Sequence, residues 1–139
     1  MVDTLMRLRE RGGESEKITI NLGHVDLGRI DLLVQEGFYS NRTDFIRSAI
    51  RSQLATHAEA LSQSIGRHTL ELGLRDYSAA DLEKLRAAGE VLHLRVVGLV
   101  RLAGDVTPEL ARATIASLTV LGALQASAEV KRALADRIG

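Results

Sequence analysis

The sequence predicts an α+β chain in two parts. An N-terminal strand and two helices close only as an intertwined dimer, and a small C-terminal β/α repeat module follows. Three observations predict this. Residues 17–22, "KITINL", alternate polar and apolar, and two helical patterns follow before any further strand signal. From residue 69 onward, short apolar runs alternate with capped helices. Within those runs, "ELGL", "VVGL" and "VLGA", stand Gly73, Gly98 and Gly122, spaced 25 and 24 residues apart. A constant period of this size marks a short solenoid, or a small parallel sheet with helices on one face.

Composition narrows the class. The 139 residues suit one ordinary domain or two small ones, and 45% hydrophobic content is globular rather than disordered. Aromatics are 3%, so the core is aliphatic. The lack of cysteine excludes a disulfide scaffold, a thiolate metal site and a cysteine nucleophile, and suits a reducing cytosol. With 18 basic and 18 acidic residues there is no net field for a polyanion, so nucleic-acid contact must rest on local placement of charge. Met1 to Gly13 is charged throughout and has no apolar h-region, so no signal peptide is expected. The most apolar stretch, Val91 to Gly104, is interrupted by His93, Arg95 and Arg101 and cannot span a membrane.

Each element has its own signals. Residues 1–16 read as a leader in which Leu5, Met6 and Leu8 mix with Arg7, Arg9 and Arg11 before Gly12-Gly13. It is a tail, or a basic arm for the DNA backbone. Residues 17–66 read as a DNA-binding and dimerisation domain. After the strand, Val25, Leu27, Ile30, Leu33 and Val34 give an apolar helical face over 24–36, and Gly37 is placed to stop it. Asn41 is an N-cap with Asp44 in the first turn. The second helix is expected to run unbroken from 42 to the mid-60s on Phe45, Ile46, Ala49, Ile50, Leu54, Ala58, Leu61 and Ile65.

Residues 67–139 read as the β/α module, an assembly or effector unit. Strands are expected at 69–74, 91–102 and 118–124. Ser78 and Asp81 form a capping box, Thr107-Pro108 opens a helix to about 116, and Ser127 caps a last helix over 128–138.

The chemistry follows from the lone strand. One strand and two helices bury too little to fold alone. Two copies pairing their strands antiparallel would place Ile18, Ile20 and Leu22 over a helical core with Ile30, Phe45, Ile46 and Ile50, so that folding and dimerisation are one event. The outer face then presents Lys17, Thr19 and Asn21 twice about a two-fold axis. A two-stranded ribbon fits the DNA major groove. There Asn pairs with adenine, Lys donates to guanine, and Thr bonds either base or touches a thymine methyl. The start of the second helix, at Asn41, Arg42 and Thr43, offers free N–H groups to phosphate, with Arg47 and Arg51 adding charge.

Residues 17–54, "KITINLGHVDLGRIDLLVQEGFYSNRTDFIRSAIRSQL", resemble the ribbon-helix-helix (CopG-like) DNA-binding domain, above all in "RIDLLVQEGFYSNRTDFIRSAI". The resemblance implies a dimer in which Lys17, Thr19 and Asn21 read bases and Asn41, Arg42 and Thr43 hold phosphate. Members of that family are dimeric repressors, antitoxins or plasmid-maintenance proteins. Two positions depart from its pattern. Gly23 stands where proline is common, and Gly28 lies inside the first helix at a cost on the order of 1 kcal/mol against alanine.

Other chemistries have little support. His24, His57, His68 and His93 are scattered, none at i, i+4, so neither a metal nor another cofactor is expected. Ser62, Ser64 and Ser78 lack a His and Asp at suggestive spacing, and Gly98 and Gly104 lack the lysine of a phosphate loop, so no catalytic residue is assigned and no enzyme is expected. The expected partners are double-stranded DNA, a second copy, and further copies joined through residues 67–139. The location is cytoplasmic, on the nucleoid, and not a membrane. The rival reading is an antitoxin-type or scaffold protein whose C-terminal module binds a protein partner or polymerises.

Overall fold

The structure, a computed structural model, describes residues 15–139. The leader, in its first fourteen positions, lies outside the described residues. The described chain holds six helices and one three-stranded parallel sheet. It divides into two compact units, Ser15–Ser64 and Ile65–Gly139.

In the first unit, α1 (His24–Gln35) follows Gly23, whose backbone is extended and supplies no side-chain cap. The helix ends as its glycine requires. Gly37 takes φ 87°, its N–H donates to the Val34 carbonyl, and the Phe38 N–H donates to that of Leu33. This is the left-handed cap that a residue with a Cβ adopts reluctantly. Asn41 then caps α2 (Arg42–Thr56) by accepting from the Asp44 N–H at 2.8 Å. The Tyr39 ring stands edge-on to Phe45, centroids 5.0 Å apart, and fixes the connector against the helix.

One expectation is corrected here. The second helix is not continuous: it breaks at His57, and α3 (Ala58–Arg67) starts afresh. The Thr56 hydroxyl donates back to the Ser52 carbonyl at 3.1 Å, and the His57 N–H turns to Leu54 in a tightened last turn. Such back-bonding competes with the helical ladder and bends it. The segment 17–22, expected to pair with a second copy, has no mate among the described residues of its own chain. None of these residues enters a ladder, because a strand exists only against a partner and Ser15–Ser64 contains no other.

In the second unit, the turn after α3 places Thr69, a β-branched residue, at φ 53° where glycine is usual. Then come β1 (Glu71–Tyr77), α4 (Ala79–Ala87), β2 (Leu92–Leu102), α5 (Pro108–Thr114), β3 (Ile115–Gln125) and α6 (Ala128–Ala133). The strands are neighbours in chain order, β1-β2-β3, all parallel. Caps fall at Ser78, Thr107 and Ser127, and Asp105 also accepts from the Ala79 N–H at 3.1 Å. Leu94, Val96, Val100 and Leu102 of β2 and Ile115 and Leu118 of β3 pack on Leu82, Leu110, Ala111 and Val130 of the helices as one buried cluster. Burial of each such side chain stabilises by about 1.5–3 kcal/mol.

Boundaries shift in three places. β1 lies later than 69–74, since the Thr69 turn occupies its start. α5 passes directly into β3 at Ile115, whose side chain is fully buried. The last helix stops at Ala133, because the terminal residues bond the sheet instead: the Leu118 N–H donates to the Arg137 carbonyl and the Gly139 N–H to that of Leu118.

The glycine period sets the register. Gly73 pairs with Gly98, and Gly98 with Gly122. All three have positive φ, at 135°, 139° and 123°. A Cβ on Gly98 would lie 2.1 Å from the Gly73 carbonyl oxygen, and one on Gly122 would lie 2.0 Å from that of Gly98. No side chain fits either place.

Gly98→Ala should therefore destabilise the full chain by on the order of 3 kcal/mol or more, through overlap and strain together. Gly66→Ala, in α3 with open space at its Cβ, should instead gain up to about 1 kcal/mol. Equilibrium urea unfolding followed by circular dichroism checks both, and a Gly98→Ala protein as stable as the parent would contradict the column.

Candidate nucleic-acid interface

Lys17, Thr19 and Asn21 are exposed on the segment that leads into α1. Their apolar neighbours are accessible too: Ile18 is 73% exposed and Ile20 59%. A large hydrophobe left in water on alternate positions of one segment marks a face without its cover.

The cover's site is visible on the same unit. A groove of about 410 Å³ is lined by Ile20, Leu22, Ile30, Leu33, Phe45, Ile46, Ala49 and Ile50. Of the residues expected in the dimer core, six meet there, while Ile18 does not line it. Ile30 alone is buried among the apolar side chains of Ser15–Ser64.

At the start of α2 the cap organises the backbone. Asn41 holds the Asp44 N–H, and the Asp44 carboxylate accepts from the Ser40 N–H at 2.9 Å. The N–H groups of Arg42 and Thr43 have no partner among the described residues and sit at the positive end of the helix. Two such donors are suited to an anion's oxygens.

The Arg42 side chain, expected to bring positive charge to this end, is itself paired. Its Nε and Nη2 donate to the two carboxylate oxygens of Asp31 on α1, each at 2.8 Å. This fork ties the two helices together and fixes the guanidinium plane. Five N–H donors make up a guanidinium, so three remain available. Asp31 was not singled out by sequence reasoning. It lies eleven residues from Arg42, and only the packing of α1 on α2 brings them together. Arg47 and Arg51 are exposed on α2 and make no ion pair or hydrogen bond among the described residues. Of the histidines, His93 is placed in the sheet, 3.0 Å from the Ser117 hydroxyl.

The Ribbon-Helix-Helix transcriptional regulator family matches residues 13–131, most of the chain. No curated protein and no solved structure gives a match. The matched region reaches well past the ribbon and its two helices and takes in all three strands of the glycine column.

The fork holds the Asp31 carboxyl below the usual carboxylate range, chiefly through the hydrogen bond from Arg42. A carboxyl lowered on folding adds stability above its unfolded value of about 3.9, and the contribution is lost as pH falls through the folded value. In Arg42→Ala, Asp31 should titrate higher than in the parent. A side-chain carboxyl NMR titration reads this directly, and an unchanged midpoint would show the fork absent in solution.

Proposed function

The chain belongs to the ribbon-helix-helix transcriptional regulators, DNA-binding proteins that usually act as dimers, and on that footing we propose that it is a homodimeric, sequence-specific repressor. One observation carries the reading: a unit of this size that buries one apolar side chain and opens an apolar groove beside an unpaired segment is unfinished as a single copy. A second copy supplies the mate. Antiparallel pairing of residues 17–22 gives each backbone a hydrogen-bonded edge and turns Ile20 and Leu22 onto the helices, with Ile30, Phe45, Ile46 and Ile50 beneath. Ile18, on the same face by alternation, extends this cover.

The opposite face of the ribbon then carries Lys17, Thr19 and Asn21 from each copy into the major groove. Asn41, Arg42 and Thr43 hold backbone phosphate on either flank, and Arg47 adds charge one turn later. Asp31 has a role in this reading. It fixes Arg42 in one orientation before DNA arrives, so less side-chain freedom is lost on binding.

Residues 67–139 serve assembly, in keeping with a folded unit that has its own twelve-residue core rather than a tail that orders only on a toxin. Joined dimers bind adjacent half-sites cooperatively through effective concentration. No helix among the described residues is long and apolar enough to cross a membrane, and a nucleoid-associated, cytoplasmic location goes with the proposed role. No catalytic step or cofactor enters it.

Asn21→Ala should weaken a selected operator by about 1–3 kcal/mol and relax preference at one base pair. Arg42→Ala should weaken all sequences alike and reduce the salt slope by about 1. Fluorescence anisotropy on DNA selected from a random pool, repeated across salt, measures both. Two variants that bind as the parent does would refute the interface.

A further inference from the structure

We propose that the open edge of β1 is a docking site for the β3 edge of a second copy of this chain, which carries the parallel sheet from one molecule into the next. The inference deepens the assembly reading above and rests on it, adding the surface and its geometry.

The glycine column points outward at β1. In both internal layers the missing Cβ of one glycine makes room for the carbonyl oxygen of the glycine before it: Gly73 for Gly98, and Gly98 for Gly122. Gly73 shares the same backbone, with φ 135°, yet nothing lies within 4 Å of its Cβ position. Among the described residues the room is made and left unfilled. At the other edge, Gly122 is the last of the column and its strand has no further full neighbour. A copy placed with β3 beside β1 in the internal register sets the Gly122 oxygen into that room.

The register of the contact is fixed by the chain's own end. The C-terminal residues cover the start of the β3 edge: Arg137 donates to the Ile115 carbonyl, Leu118 bridges Ile138, and Gly139 lies beside the Thr119 hydroxyl. Internally Glu71 lies opposite Val96, and Val96 opposite Val120. Continuing that register, β1 of the next copy begins at Val120, just beyond the covered stretch. The two edges therefore fit without displacing the terminus.

Side chains agree with this fit. Leu72 and Leu121, at 75% and 58% exposed, come opposite each other and bury. Asp76 comes opposite Gln125, whose Oε1 already accepts from Arg101 at 3.2 Å, which turns its amide N–H groups toward the carboxylate. Charge on β1 does not oppose docking. Glu71 is paired with Arg75, and Asp76 with Arg101 at 3.4 Å. The strand has neither lysine nor proline to blunt its edge.

The chain has no cysteine, so a disulfide test is clean. Leu72→Cys, Leu121→Cys and the double variant are oxidised as full-length folded protein, with circular dichroism confirming the fold, and run on non-reducing denaturing gels. The double variant should give a ladder of multiples of 15.1 kDa, and each single variant only single chains. Cross-linking of Leu72→Cys alone would mean β1 pairs with β1 and would overturn the proposal. So would a double variant without a ladder. Light scattering of the unmodified protein separates the two levels. A mass above two chains with no ladder leaves assembly standing and removes this surface, whereas a two-chain mass removes both and leaves DNA binding untouched.

Discussion

A β-strand cannot satisfy its own backbone, and every N–H and C=O that it exposes must find water or a neighbour. In Ser15–Ser64 the alternating segment 17–22 has no strand neighbour among the described residues, and the apolar groove beside it is open. In Ile65–Gly139 the same need is met twice, between β1 and β2 and between β2 and β3, and at the β1 edge no further strand pairs among the described residues. Both units thus end in an edge, but the edges differ in kind. The first belongs to a unit with one buried apolar residue, so in the proposed dimer its partner is a condition of folding. The second belongs to a unit with a closed core, so its partner adds to a structure that already stands.

The glycine column explains why the second unit takes this form. Parallel strands in one sheet need a crossover, and here each crossover is a short capped helix. A period of 25 or 24 residues leaves room for one strand, one helix and two turns and nothing more. At the centre of each strand the backbone approaches its neighbour so closely that no Cβ fits. Sliding one strand by a residue would bring a leucine or valine against a carbonyl, so register is specified by exclusion as well as by the apolar pattern. The column does for this parallel sheet what a tight turn does for a hairpin.

Much of this was legible because its signals are local. Gly37, Ser78, Thr107-Pro108 and Ser127 end or begin helices through groups within four residues, and each does so in the structure. The three glycines were legible because a repeat shows in one dimension. What stayed hidden depends on residues distant in sequence or on competition between bonds. The break at His57 arises from a hydroxyl that can donate to its own helix or to water, and the pattern of apolar residues runs straight through it. The last helix gives up its final turn because Arg137 and Gly139 bond Leu118, a contact with no signature in residues 128–138. Asp31 reads as one of several acids on an exposed helical face until α2 brings Arg42 to it. In the candidate site, residue types and spacing were readable, while the orientation of the key arginine was not.

The two proposed interfaces have different symmetry, and that difference decides what they build together. Antiparallel pairing of a segment with itself is isologous: it uses the same surface on both copies and is complete at two. Joining β3 to β1 is heterologous, because each copy spends one edge and offers the other, so it never completes itself unless the rotation closes a ring. A chain with only the first contact stops as a dimer. A chain with only the second grows as a single file with a direction. With both, every two-fold pair carries two modules and so two unspent edges of each kind. Growth then proceeds from both copies, and each added pair brings another DNA-reading ribbon. Binding to a row of sites by such an array depends on how many ribbons are held near the DNA more than on the strength of any one. That arrangement gives a physical reason for a small DNA-reading unit to share a chain with a sheet left open at its edge.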